Sequence, residues 1–425
     1  MKVSTGNPDA MAPGVRALLY GAFCWLNRHI IVLRGFGAVL RYWPFVGAWF
    51  GLAARASAVK AVLTRTRSFS NTTHAPDLAA GDYLIAMDPG PTYAADRALV
   101  EARLAVLNVQ ADADQKAQKL VAKLTQPGVK AFDLIEDYLM WIVFHAIQPV
   151  FGAAADDVAV GKGGNVRDRG LQRQYLLEIR YVAGQLLGGN SSTLRVQRRA
   201  EACADSLRAR IEGLNSDIQK AWGVSDPPED IQRNAMGLAW ISHPVTVQSG
   251  ALVVQELLKR RKVYDDLRSM ADARKSAVWT DPAFRKNVRD HVLELMRFRP
   301  IFPLMARDVP RDTEFETGGR HNAVCPGGGK VGLFSIAALF DPLAVHDSGK
   351  FCPHRDWKGE EGLRWLMFGY GPRQCPAKNH AVEILTSALI GLLTMRELRL
   401  ARDDGKPITY DGPLMSRMRL APQEK

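Results

Sequence analysis

The sequence predicts a mainly α fold of the α+β class, one large domain carrying a minor β-sheet. Apolar residues recur at three- and four-residue spacing through most of the chain, the pattern of helices that bury one face. After Pro300 the texture changes to short extended pieces between glycine-rich loops. The 425 residues contain no Ser/Pro/Gly linker, low-complexity tract or internal repeat that would divide them.

In chain order, the first segment is polar from Met1 to Pro13, with no charged stretch leading into a small-residue cleavage site, so no signal peptide is expected. Residues 17–54 are apolar and aromatic, but Arg28, His29, Arg34 and Arg41 interrupt them. The charge-free runs, 17–27 and 42–54, span 11 and 13 residues. A membrane-spanning helix needs roughly 20. Residues 1–56 are therefore expected to pack on the body, to border an access channel, or to lie peripherally at a membrane surface. Residues 57–425 form the main body. Helical spacing marks Ala94–Leu107, Phe132–Val150, Gln172–Leu187, Leu194–Leu214, Glu229–Lys262 and Asn287–Arg297. Gln126-Pro127-Gly128, Val158–Gly164 and Asp226-Pro227-Pro228 punctuate them. Thr313–Glu316 and Lys330–Phe334 read as extended, 341–365 as a loop, and 377–395 as a closing helix.

Composition sets broad limits. With 47% hydrophobic and 24% charged residues, the chain can bury a large core. Its net charge is +12, yet the Lys and Arg are spread along it, with no basic run interleaved with aromatics. Nucleic acid is not the expected partner; an acidic protein or an anionic membrane surface fits the charge as well. The five cysteines (Cys24, Cys203, Cys325, Cys352 and Cys375) form no C-x-x-C pair or even framework. That argues for a reducing, cytoplasmic setting in which one thiol can have a special task.

Phe368-Gly369-Tyr370-Gly371-Pro372-Arg373-Gln374-Cys375-Pro376-Ala377 is where that thiol lies. Glycines at 369 and 371 permit a tight loop whose backbone can approach something flat and large. A cysteine just before a helix start sits where free N–H groups favour the thiolate. Arg373 can fork onto a carboxylate. Axial ligation of heme iron asks for this combination, with sulfur on iron and guanidinium on a propionate. Zinc is the competing metal, though it wants several Cys or His ligands at local spacing. A plain buried cysteine on a loop is the bland alternative.

Phe368, Gly371, Arg373 and Cys375 fall in register with the signature Phe-x-x-Gly-x-Arg-x-Cys-x-Gly, and here the sequence resembles the cytochrome P450 family. Ala377 stands where that signature has glycine. Upstream, Glu294 and Arg297 lie at i and i+3, followed by Pro300-Ile301-Phe302-Pro303 and Arg307. This is similar to the family's Glu-x-x-Arg helix and the strand bearing a propionate-binding arginine. The family's third structural partner is an arginine before a Phe; Lys350-Phe351 occupies that place, with Arg355 as a substitute. Met87 to Arg97 resembles the family's entry to a heme-contacting helix, with Tyr93 in place of the usual His and Arg97 matching. The resemblance implies a single heme-thiolate domain with non-covalent heme b. It makes Cys375 the proximal ligand, Tyr93, Arg97, Arg307 and Arg373 propionate partners, and Glu294, Arg297 and Lys350 structural.

The distal side departs from the family. Its monooxygenases carry Ala/Gly-Gly-x-Asp/Glu-Thr on a central helix, where the acid–alcohol pair relays protons. Here the helix reads Ala239-Trp240-Ile241-Ser242-His243-Pro244-Val245-Thr246, and no acid lies between Ile231 and Gln255. One reading is an oxygen-dependent monooxygenase in which His243, Ser242 or Thr246 serves catalysis. Another is a peroxygenase or hydroperoxide isomerase, His243-Pro244 resembling the Arg-Pro of fatty-acid peroxygenases, with a protonated imidazole holding a carboxylate or polarising peroxide. A non-catalytic heme sensor or carrier is the third. The resemblance implies a lipophilic small-molecule substrate, attacked first of all by C–H hydroxylation, and a chain acting as a monomer. No flavin or iron–sulfur region is seen, so electrons are expected from a separate ferredoxin or flavodoxin. Arg355, Lys358, Arg364, Arg373 and Lys378 would offer it a basic face.

Overall fold

The protein was analysed as a computed structural model, which describes residues 13–42, 50–71, 83–85, 87–150, 178, 180–183, 194–212, 222, 229–316, 322–357, 359–401 and 405–422. Helices α1 (Pro13–Arg28) and α2 (Ile30–Leu40) lead into strand β1 (Phe50–Ala53) and α3 (Ala56–Thr64). Then come α4 (Pro91–Ala105), α5 (Val109–Leu124), the short β2 (Phe132–Asp133), a π-helical turn over Leu134–Leu139 and α6 (Met140–Ile147). The helical body continues through α7 (Leu194–Glu212), α8 (Glu229–Leu258), α9 (Arg261–Arg274) and α10 (Pro282–Phe298). Strands β3 (Met305–Val309), β4 (Thr313–Glu316), β5 (Asn322–Cys325) and β6 (Gly329–Leu333) follow. Helix α11 (Lys378–Thr394) and strands β7 (Leu398–Leu400), β8 (Ile408–Asp411) and β9 (Leu414–Pro422) close the chain. The helix expected over 172–187 lies outside the described residues apart from 178 and 180–183, which are helical.

Local chemistry explains the boundaries. Asp281 caps α10 by accepting from the N–H groups of Ala283 (2.8 Å) and Phe284 (3.1 Å), and Pro282 opens the helix where no N–H is needed. The expected single helix over 229–262 is two: α8 ends at Leu258 and α9 starts at Arg261. Helix α8 runs through Pro244, which removes the donor for the Trp240 carbonyl.

The sheets are small. β1 pairs parallel with β6, and β3 pairs antiparallel with β6, so that Gly51 and Arg307 both register on Val331. β2, β9 and β7 form a second sheet, with β8 also on β9. Thus part of the N-terminal segment is a strand of the body, fixed further by the buried Arg55–Asp341 ion pair (3.0 Å). One apolar cluster packs α4, α5, α6 and α11 around α8; a second lies between the β1–β6–β3 sheet and α2–α3. The outer face of α1 and α2 leaves Leu18, Trp25, Ile31, Phe36 and Val39 exposed. No helix among the described residues is long and apolar enough to cross a membrane.

Candidate heme-binding site

The loop before α11 carries Cys375. Gly369 and Gly371 take φ of +83° and +72°, the left-handed region that glycine enters without strain. A Cβ at Gly371 would stand 3.3 Å from the Leu63 carbonyl, so the loop also packs tightly on α3. The Cys375 N–H donates to the Phe368 carbonyl at 2.9 Å, closing the loop between the two ends of the motif. Burial pushes the Cys375 thiol up, opposed by the Ala377 N–H, which donates to sulfur, and by the charges of Arg97 and Lys378. The free thiol is therefore protonated at neutral pH, and a metal would displace that proton. Its charged neighbours, Arg97 and Lys378, are cations, which favour the thiolate. No cluster of three or more His, Cys, Asp or Glu able to hold a metal occurs among the described residues.

Three arginines converge beside the loop. Arg373 donates to the Ile85 carbonyl (3.1 Å) and pairs with Asp88 (3.2 Å). Arg97 donates from one nitrogen to Tyr93 Oη, Pro372 O and Gln374 O, each at 3.0 Å, and pairs with Glu101 at 2.8 Å. Tyr93 in turn donates to the Pro372 carbonyl at 3.0 Å. In this structure Tyr93 and Arg97 clamp loop carbonyls. Arg307 donates only to the Ala306 carbonyl and makes no ion pair among the described residues. Burial, with Arg373 nearby, pulls its pKa down to about 10. The corner thus sets three guanidiniums against the carboxylates of Asp88 and Glu101, which leaves Arg307 without an ion pair among the described residues and open to a ligand's carboxylate. Cys375 with this cationic corner fits heme: sulfur for iron, Arg307 and Arg373 for propionates.

The structural lock differs from the expected one in its third member. Arg297 grips Glu294 with Nε to Oε2 at 2.9 Å and Nη2 to Oε1 at 2.8 Å, and is 1% exposed. It also donates to the carbonyls of Leu339, Ser348 and Lys350. The Lys350 ammonium instead pairs with exposed Asp347 at 3.0 Å, and only its carbonyl joins the lock. Arg355 supplies the guanidinium, reaching Glu294 Oε1 at 3.2 Å and Lys350 O at 2.8 Å. The same commitment thins the expected docking face. Arg355 and Arg373 are buried in ion pairs, Arg364 pairs with Asp290 at 2.5 Å, and Lys358 lies outside the described residues.

On α8, Trp240 is fully buried, edge-on to Tyr83 with ring centres 6.4 Å apart. Sequence reasoning did not single out Tyr83; its signal is Gly237, where a Cβ would fall 2.4 Å from the Tyr83 ring. Ser242 donates back to the Leu238 carbonyl at 2.5 Å. His243 lies 3.0 Å, through Nε2, from the Met140 carbonyl on α6, and its Nδ1 has no partner among the described residues. A carbonyl only accepts, so Nε2 carries the proton. Burial pulls the His243 pKa down to about 4. The imidazole is neutral at neutral pH, which corrects the expected protonated His243: desolvation outweighs what one carbonyl returns. Thr246 is buried.

Known proteins share this fold. Residues 254–423 match the sequence model of the family described as Cytochrome P450. A cytochrome P450 monooxygenase, aclL, of Aspergillus oryzae is 27% identical over 190 residues, 41% of this chain and 37% of that protein. Across the curated relatives, the match spans between 21% and 37% of their length. Among solved structures, P450BioI bound to an acyl carrier protein superposes with a TM-score of 0.68 at 17% identity, covering 92% of this chain and 98% of that one. A P450 EryK mutant with erythromycin B gives 0.67 at 17% identity, covering 93% and 97%.

Proposed function

We propose that the chain is a cytochrome P450-type monooxygenase that hydroxylates C–H bonds of a lipophilic small molecule. The observation that carries this is the pairing of the Cys375 loop with the under-neutralised Arg97–Arg307–Arg373 corner. Heme b is the cofactor: an iron with an axial thiolate supplies the electron push needed for O–O cleavage. Cys375 would hold the iron, and Arg307 and Arg373 the propionates. Tyr93 and Arg97 fix the loop that presents the sulfur, and Ala377 aims its N–H at that sulfur, which tempers its charge. Ser242, His243 and Thr246 are the distal candidates, none of them acidic.

A second reading is peroxide-driven oxidation or hydroperoxide isomerisation. Its support is the acid-free stretch from Ile231 to Gln255, with the Ser242 hydroxyl and His243 Nε2 both turned to backbone carbonyls. Electrons for the first reading would come from a ferredoxin- or flavodoxin-type donor. The exposed apolar face of α1–α2 suits peripheral membrane contact, and the five free cysteines suit the cytoplasm. Turnover under ¹⁸O₂ with ferredoxin, its reductase and NADPH should give labelled product. Product formed only with added peroxide, and unlabelled under ¹⁸O₂, would replace the first reading by the second.

A further inference from the structure

We propose that Arg299 forms an anion subsite that holds the carboxylate head of an acidic lipophilic substrate. The proposal rests on the family reading above and names the substrate class it leaves open. Arg299 follows the last residue of α10 and is 4% exposed. Its Nη2 lies 3.4 Å from the Arg28 carbonyl, a weak contact, the neutral Tyr410 hydroxyl is a second partner, and its Nε has none among the described residues. It forms no ion pair among the described residues. The acid whose charge it feels, Glu256, is already gripped by Arg260 and Lys259. A guanidinium cannot shed its proton to escape burial as an amine can, and an unpaired buried charge costs several kcal/mol. Something anionic should therefore complete it.

The side chain lines a cavity of about 50 Å³. Apolar walls come from Phe23, Leu252, Phe302 and Leu414, with the Gln248 amide and Tyr410 hydroxyl as polar company. One water occupies roughly 10–15 Å³ on this measure, so the space takes a head group and not a whole lipid. A carboxylate matches one guanidinium in charge and in its two-oxygen fork. A phosphate monoester, near −2, would leave a second charge unpaired in an apolar wall. α1 roofs the site: Arg28 donates to the Gly412 carbonyl at 2.8 Å and stacks on Tyr410, with 4.7 Å to the ring centre. Gln248 and Leu252 belong to α8, the helix carrying Ser242 to Thr246, so a chain anchored here starts beside the expected distal residues.

The test is isothermal titration of the purified holoprotein with dodecanoate, methyl dodecanoate and dodecyl phosphate. Dodecanoate should bind at least about 10-fold more tightly than either of the others. Arg299→Gln should erase that preference and leave the ester's affinity unchanged, and Arg299→Lys should keep part of it. Equal affinity for acid and ester in the unmodified protein overturns the proposal, as does an Arg299→Gln variant that keeps the preference; tighter binding of the phosphate overturns the carboxylate assignment. The comparison of the three ligands on unmodified protein stands even where a variant folds poorly. Heme content is measured separately, so a protein without heme that still prefers the acid would sink the family reading and not this one.

Discussion

Glu294 is held by two guanidiniums inside the protein, and that makes Arg355 and Lys350 a sharp contrast. Arg355 is 4% exposed at its side chain where it meets Glu294, whereas the Lys350 ammonium reaches only an exposed Asp347. Arg355→Ala should cost about 3 kcal/mol by leaving a buried carboxylate under-paired. Lys350→Ala should cost less than about 1 kcal/mol. Denaturant unfolding of both variants checks this, and equal losses would contradict the lock drawn here. His243 gives a pH signature. Its folded pKa of about 4 lies below the ordinary 6.5, so between those values the unfolded chain binds more protons than the folded one. Stability is full above about 6.5 and falls as the pH drops towards 4, by at most about 3 kcal/mol from this group. His243→Phe should flatten that limb of the pH–stability curve; an unchanged slope would mean the imidazole is not buried neutral. Glu294 and Arg297 were legible because both ends of the pair sit one turn apart on one helix. Arg355 was legible only as a substitute, since the path of the 341–357 loop decides which cation arrives.

At the scale of elements, α8 is the piece whose existence the sequence announced and whose surroundings it did not. Apolar spacing gave a long helix here, and Pro244 marked a lost donor, but nothing local says that His243 faces the Met140 carbonyl of α6. That contact joins residues 103 positions apart. Tyr83 packing on Gly237 is of the same kind. A methyl there meets the ring at 2.4 Å, so Gly237→Ala should destabilise by roughly 1–3 kcal/mol despite alanine's better helix propensity. A thermal melt decides: a higher melting temperature would show that propensity wins and that Tyr83 does not sit against α8. The Cys375 loop is the opposite case. Glycine, arginine and cysteine lie within one short stretch, so its chemistry could be read before any fold was known. Its flanking helix was placed to within a residue, 377–395 expected and Lys378–Thr394 observed.

Across the whole molecule, long-range pairing did what sequence could not foresee. β1, from the N-terminal stretch, joins the sheet that presents Arg307, and α1 closes the Arg299 cavity against Tyr410. That cavity gathers α1, α8, the segment after α10 and the β8–β9 hairpin, and so left no local signal. The cationic corner was legible residue by residue, while its shortage of carboxylates emerged only once Asp88, Glu101 and three arginines stood together. The central claim, that this assembly presents Cys375 as a thiolate to heme iron, is tested by reducing the heme-loaded protein with dithionite under carbon monoxide. A strongly red-shifted Soret band, lost in Cys375→Ala, is the predicted result. A protein that takes up no heme, or whose band survives that substitution, would contradict it.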